Sequence, residues 1–262
     1  MLIVQISDCH VAAPSARLFD RVATSNYLRR AISAINSLPR EPNVVLVTGD
    51  LVDNGREEEY EEFKNVTSAL RAPILPVVGN HDDRTELRKA FELDARFEMQ
   101  TGFIQYTVDT YPLRLLIIDT TSTGSHNQSY CDQRLEWLAG QLSENKRPTL
   151  VAMHHPPFSA GVEWMESPDR TWAKKLLGVI SGSPNVVRMV CGHVHRTMTV
   201  ACAGTIAMAA PSTAHQVYPA LTQDARPQFN MEAPGFLMHH WNGSILTSYG
   251  VSIPGLEDTF GF

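Results

Sequence analysis

The chain of 262 residues reads as an α/β protein built around a mixed sheet. Three observations carry that expectation. Short apolar runs alternate with stretches whose apolar residues recur at helical intervals, the pattern of β-α-β units. Seven side chains able to hold a metal fall in five clusters, each directly after an apolar run, and open α/β sheets place their sites at the carboxyl ends of strands. Two further runs are separated only by Tyr111-Pro112, which predicts a hairpin and therefore an antiparallel pair among parallel ones.

In chain order, Leu2–Ile6 predicts a strand, Val22–Ile35 a helix and Val44–Thr48 a second strand after the breakers Pro39 and Pro42. A charged helix at Glu57–Leu70, a strand at Ile74–Val78 and a helix at Arg84–Phe91 repeat the unit. Gly102–Asp109 and Leu113–Asp119 form the hairpin, and Asp132–Leu142 places Leu135, Leu138 and Leu142 on one helical face with Trp137 in the core. A strand at Leu150–Met153, a helix at Arg170–Ile180 and a strand at Val186–Cys191 follow. Beyond Thr197 the pattern changes to short strands at Thr197–Cys202 and Thr205–Ala209, a proline-containing stretch from Tyr218 to Pro234 and a last hairpin from Phe236 to Val251. One domain over 1–262 is expected, with 197–262 completing the second sheet. The excursion at 218–234 is expected to be ordered, because Tyr218, Phe229 and Met231 are ill suited to a flexible linker, and to serve as a pocket wall or a subunit contact.

Composition narrows the function classes. With 43% hydrophobic and 19% charged residues, the chain can bury an ordinary core without staples, and no run approaches the roughly 20 apolar residues that cross a bilayer. The opening MLIVQISDCH lacks the basic stretch and cleavage site of a signal peptide, so a cytoplasmic location without membrane attachment is expected. A net charge of −6 with no lysine or arginine block excludes the basic footprint that duplex nucleic acid requires. Cys9, Cys131, Cys191 and Cys202 show no C-x-x-C spacing, which argues against a zinc knuckle and for buried free thiols.

The clusters are Asp8 and His10, Asp50, Asn80, His154, then His193 and His195. On an extended segment, residues two apart point to one side, so Asp8 with His10 and His193 with His195 are expected to address one ion each. Asp50, alone after Gly49, is the natural bridge between two ions, since a carboxylate spans cations roughly 3.5–4 Å apart. Gly49 lets the backbone come close. Asn80 is a weak neutral donor, useful in a catalytic site that exchanges ligands and pointless in a closed structural one. Four imidazoles with carboxylates favour Mn, Fe, Co or Zn over Mg or Ca. Taken singly, D-x-H and G-H-x-H occur by chance in ordinary strands, and it is their joint order that carries the metal reading. His155 points the opposite way from His154, which suits hydrogen bonding behind a ligand or plain packing. Asp53 and Asp83 are expected as helix caps, and His239 and His240 as structural residues.

ISDCH, GDLVDNG, VVGNHDD, MHHPP, CGHVH and the later STAHQV together resemble the calcineurin-like metallophosphoesterases, most closely the bacterial class III cyclic nucleotide phosphodiesterases and the related glycerophosphodiesterase. The resemblance covers essentially the whole chain and implies a four-layer α/β/β/α sandwich with mixed sheets. It also implies two divalent transition-metal ions, one held by Asp8, His10, Asp50 and His195 and the other by Asp50, Asn80, His154 and His193. His81 takes the place of the family histidine that contacts phosphate and helps stabilise or protonate the leaving group, and His215 matches a subgroup position near the substrate pocket, where a structural histidine fits equally well. Asp50, Asn80 and His81 are thus the expected catalytic set.

The implied reaction is in-line attack on the phosphorus of a small anionic phosphodiester, by a hydroxide that the cations activate, in a protein that forms a homodimer or higher oligomer. A phosphomonoesterase or protein phosphatase on the same centre is the alternative, to be favoured by basic residues in the pocket; only Arg56, Arg84 and Arg196 lie near the motifs. A non-catalytic scaffold that keeps the fold as a binding surface is a third reading, and the intact donor set with His81 argues against it.

Overall fold

The computed structural model describes residues 1–97, 102–122, 125–222 and 224–254. Strand β1 (Leu2–Ile6), helix α1 (Thr24–Asn36), strand β2 (Val44–Thr48), helix α2 (Glu57–Thr67) and strand β3 (Ile74–Val77) build two β-α-β units, with the three strands parallel. Helix α1 buries Leu28, Ala31, Ile32 and Ile35, the i, i+3, i+4, i+7 stripe of a helix lying on a sheet. Helix α2 starts from Arg56, whose backbone N–H donates to the Glu59 carboxylate at 3.2 Å. Asp53 is therefore not the cap that its position suggests; its carboxylate turns inward to His10 instead. Asp83 does cap helix α3 (Arg84–Phe91), accepting from the N–H groups of Thr85 and Glu86 at 2.8 and 3.0 Å.

A short helix α4 (Leu93–Arg96) leads to the antiparallel pair β4 (Tyr106–Val108) and β5 (Arg114–Ile117). Strand β4 begins later than the apolar run suggests because the Ile104 N–H donates to the buried Asp119 carboxylate at 3.1 Å rather than to a ladder. A small ribbon of β6 (Thr121–Ser122) and β7 (Ser125–Gln128) precedes helix α5 (Asp132–Glu144), which buries Leu138 and Leu142 and half-buries Trp137. Strand β8 (Thr149–Ala152), a single 3-10 turn at Glu163–Met165, helix α6 (Thr171–Ser181) and strand β9 (Val186–Cys191) complete the second set of units. Then come β10 (Met198–Cys202), β11 (Thr205–Ala209), β12 (Gln216–Val217), β13 (Phe229–Asn230), β14 (Gly235–Trp241) and β15 (Leu246–Ser252). Of the four thiols, Cys9 and Cys191 are buried as expected, whereas Cys202 is half-buried and Cys131 is exposed where the chain enters α5 at the surface.

Two sheets result, in the orders β15-β14-β1-β2-β3 and β10-β11-β9-β8-β5-β4. Their facing sides share one core. Leu115, Ile117, Leu150, Ala152 and Val190 of the six-stranded sheet pack into the cluster that holds Ile3, Val44 and Leu46 of the other. The alternate residues Leu116, Val151, Met189 and Cys191 point away, under α5 and α6 through Leu138, Leu142, Trp172 and Leu176. The layers are thus α/β/β/α, and strands buried on both faces read as continuous apolar runs. Residues 197–262 do not simply complete the second sheet. Strands β10 and β11 do extend it, but β14 crosses over and pairs antiparallel with β1, Leu2 opposite His240, covering an edge that would otherwise leave backbone donors and acceptors unpaired. The excursion from Tyr218 is bracketed by the β12–β13 pair, with the Tyr218 N–H on the Gln228 carbonyl at 2.9 Å.

His239 on β14 is buried between Ser248 Oγ at 2.8 Å and Gln5 Oε1 at 3.1 Å. Burial, aided by the charge on Arg188, lowers its pKa to about 3. The folded protein keeps this ring neutral while the unfolded chain takes up a proton below about 6.5. Its stabilising contribution is therefore complete above that pH and is lost as the pH falls towards 3, with a limiting slope of about 1.4 kcal/mol per pH unit for one proton. In urea melts between pH 7 and 4, His239→Gln is expected to flatten the acid decline; an unchanged slope would show that this ring is already protonated in the fold.

Candidate metal centre

The five clusters meet where the carboxyl ends of β1, β2 and β3 adjoin those of β8 and β9. The Asp8 carboxylate accepts the His193 N–H at 3.0 Å, and His154 Nδ1 lies 2.8 Å from the Thr48 carbonyl, so side chains from one sheet stitch to the backbone of the other. The donors are not on extended backbone, as D-x-H and H-x-H were expected to be. Asp8, His10, Asp50, His193 and His195 have φ of 52, 43, 49, 69 and 48°, in the left-handed region. Along a strand, alternate side chains stand about 6.6 Å apart, whereas donors to one ion lie about 2 Å from it. The left-handed bends make them converge, and aspartate and histidine tolerate that conformation better than most residues. Gly49, at φ +92°, makes room in the same way: a Cβ there would lie 2.2 Å from His154 Nδ1.

Two groups of donors overlap at one carboxylate. In the first, His10 Nε2 is 3.1 Å from His195 Nε2 and 3.6 Å from Asp50 Oδ2, and His195 Nε2 is 3.5 Å from Asp8 Oδ1. In the second, His154 Nε2 is 3.3 Å from the same Asp50 Oδ2 and 3.0 Å from Asn80 Oδ1, with the His193 ring 5.1 Å from that of His154. The other oxygen of Asp50 accepts the His81 N–H at 2.9 Å. Asp8, Asp50, His10, His154, His193 and His195 are all buried.

Hydrogen-bond partners set the tautomers. His154 and His195 donate from Nδ1 to the carbonyls of Thr48 and His215, which can only accept, so in the neutral ring Nε2 carries the lone pair, directed at the cluster. His10 Nδ1 is 3.3 Å from Asp53 Oδ1, which leaves its Nε2 in the same role. His193 is reversed: Nε2 donates to the Met165 carbonyl at 3.0 Å, leaving Nδ1 as the lone pair. Two imidazole lone pairs facing each other at 3.1 Å repel unless a proton or a cation lies between them. Burial pushes the Asp8 carboxyl up to about 6, against the pull of His154 and with Asp50 adding to the rise. At His154 burial works against the charged ring, but Asp50 overcomes it and raises the pKa to about 9. A divalent cation would take over the charge compensation that this proton supplies. The donor set fits metal on these grounds, and the groups Asp8–His10–His195 and Asp8–Asp50–His154 each bring three donors close enough for one ion.

Other side chains hold the donors in place, and of these only His155 has that role among the expectations from the sequence. Asp53 faces His10, and its carbonyl accepts from His81 Nδ1 at 2.7 Å. Half-buried Asp82 accepts the Gly79, Leu51 and Val52 N–H groups and the Tyr60 hydroxyl, clamping the Asp50 loop to the Asn80 loop. Its place two residues after Asn80 was the available signal. Gln128 donates to the same Met165 carbonyl as His193, at 2.8 Å. His155 sits behind the site with Nδ1 2.9 Å from Thr120 Oγ1, its ring edge-on to those of His154 and His193. Of the donors, His10, Asp50, Asn80, His193 and His195 line a cavity of about 840 Å³ whose remaining wall includes His81, His215, Phe19, Trp164 and Phe229. Among the described residues lining it there is no lysine or arginine, while Asp53, Asp82 and Asp83 all contribute.

Residues 1–197 match a family model described as calcineurin-like phosphoesterase. The chain is 36% identical over 256 residues to the glycerophosphodiester phosphodiesterase GpdQ of Enterobacter lignolyticus, covering 97% of this chain and 91% of that protein. It is 27% identical over 250 residues to the 3',5'-cyclic adenosine monophosphate phosphodiesterase CpdA of Escherichia coli, covering 94% and 87%. In fold it matches a dimetal phosphatase from Danio rerio with a TM-score of 0.71 at 14% identity, over 97% of this chain and 96% of that one. Among the described residues no helix is long and apolar enough to cross a membrane.

Proposed function

Because this chain belongs to the calcineurin-like phosphoesterase family, we propose that it hydrolyses small phosphodiesters, 3',5'-cyclic nucleotides or glycerophosphodiesters, on a centre of two divalent cations. The observation that carries the reading is Asp50 Oδ2, which lies within 3.6 Å of His10 Nε2 and 3.3 Å of His154 Nε2 and so belongs to both donor groups. Asp8, His10, Asp50 and His195 would hold one cation, and Asp50, Asn80, His154 and His193 the other. Imidazoles with carboxylates favour Mn, Fe, Co or Zn there. Bound cations of this kind lower the pKa of water and neutralise charge that develops on phosphoryl oxygens.

The protein's own groups supply the rest. His81, anchored through Nδ1 on the Asp53 carbonyl, presents its opposite nitrogen, which as part of an imidazolium donates a hydrogen bond to a phosphoryl oxygen or a proton to the departing alkoxide. The Asp50 hydrogen bond to the His81 N–H couples the position of that ring to the shared carboxylate. The wall favours a diester over a monoester. A phosphodiester carries one negative charge and a monoester close to two, and a lining with carboxylates and no described lysine or arginine offers the second charge no partner beyond the cations and His81.

A panel of cyclic AMP, glycerophosphoethanolamine and p-nitrophenyl phosphate with purified protein in manganese tests this directly. Diester turnover is expected to exceed monoester turnover by about tenfold or more, the size of one uncompensated charge at a partly dry site. Faster turnover of the monoester would replace the reading with a phosphomonoesterase on the same donors.

A further inference from the structure

Phe19 occupies an unusual position. Leu18 and Val22 exchange backbone hydrogen bonds at 3.0 and 2.9 Å, closing a tight turn whose tip residues Phe19 and Asp20 have φ of 53 and 56°. Two consecutive left-handed residues belong to the turn type that asparagine and glycine occupy with least strain, and an aromatic residue there is costly. Leu18 and Val22 on either side are buried against Ala214, Tyr27 and Phe229, so the turn is anchored. Phe19 at its tip is nonetheless 57% exposed. Its ring stacks on Phe229 of β13 with centroids 4.9 Å apart and 24° between planes. His215 meets both rings edge-on and lies 4.6 Å from the ring of His195. The pair therefore stands in the cavity wall one histidine away from the donor cluster.

We infer that Phe19, backed by Phe229, is a stacking platform for a planar ring carried by the alcohol portion of the diester, so that the site selects nucleoside or aryl diesters over purely aliphatic ones. This rests on the phosphodiesterase reading. A strained backbone that holds an exposed aromatic face beside a reaction centre has a use when a second ring covers that face. Stacking also needs no lysine or arginine, in keeping with the lining of this cavity.

The test is Phe19→Asn, which removes the ring while suiting the turn, together with Phe19→Trp, which keeps an aromatic face. In manganese-loaded protein, the ratio of kcat/KM for cyclic AMP to that for glycerophosphoethanolamine is expected to fall about tenfold in Phe19→Asn and to be kept in Phe19→Trp. Adenosine binding, measured by calorimetry, is expected to weaken by a similar factor in Phe19→Asn, whose melting temperature stays at or above that of the parent. An unchanged ratio with unchanged adenosine affinity, or an equal loss on both substrates, overturns the platform. If the parent protein hydrolyses neither diester, the phosphodiesterase reading fails, and the adenosine measurement alone then decides whether the ring binds at Phe19.

Discussion

Asp50→Ala is expected to lower diester turnover by about three orders of magnitude or more and to reduce bound manganese from about two ions per chain to one or fewer. The reason is geometric. Oδ2 of this residue lies near both His10 Nε2 and His154 Nε2, and Oδ1 holds the His81 N–H, so a single truncation removes a shared donor and loosens the ring proposed to meet the phosphate. Asp50→Asn keeps a side-chain acceptor for the His81 N–H while losing the bridging charge. It should therefore retain the position of His81 and still lose the second ion. Elemental analysis of dialysed protein beside steady-state kinetics makes the measurement, with a thermal melt to establish folding. Near-parental activity with two ions still bound in Asp50→Ala would place the shared donor elsewhere.

Gly49→Ala should act through the fold and the site together. The position has φ +92°, and an added Cβ would sit 2.2 Å from Nδ1 and 2.6 Å from Cγ of the buried His154 ring. Left-handed strain on a residue with a Cβ costs about 1–3 kcal/mol, and a forced shift in a packed interior about as much again. A loss of about 2–6 kcal/mol in unfolding free energy is expected, read from urea melts. His154 has nowhere to retreat, because its Nδ1 is held by the Thr48 carbonyl and its Nε2 by Asp50 and Asn80. Metal affinity should fall with stability. A variant with parental stability and full metal binding would mean that the backbone between β2 and Asp50 can rotate away from its left-handed bend.

The elements of this protein were legible wherever a single pattern decided them. The runs at Leu2–Ile6, Val44–Thr48 and Val186–Cys191 are strands with the boundaries that their composition suggests, because side chains buried on both faces leave a nearly continuous apolar signature. Helix α1 shows an apolar stripe because one of its faces is buried against the sheet. Donor chemistry was legible in the clusters from Asp8 to His195, since buried carboxylates and imidazoles at strand ends need a partner. The role of Asp53 was not legible. A residue just ahead of a helix reads as a cap, and only the approach of β1 to β2 puts His10 within 3.3 Å of it. The partner of β14 was hidden too, because alternation along a strand tells which faces are buried and not which edge it joins.

From its residues alone, then, this chain determined its alternation of strands and helices, the chemistry of its donors and their order along the backbone, because hydrophobic period and side-chain type are local properties. Tertiary structure decided that two sheets face each other, that left-handed bends at Asp8, His10, Asp50, His193 and His195 gather donors that an extended chain would hold apart, and that Phe19, Trp164 and Phe229 wall the cavity beside them. Those outcomes depend on contacts between residues up to some two hundred positions apart, such as the Ser212 hydroxyl on the Asp8 carbonyl, and the free energy of such contacts is set by how the whole core packs.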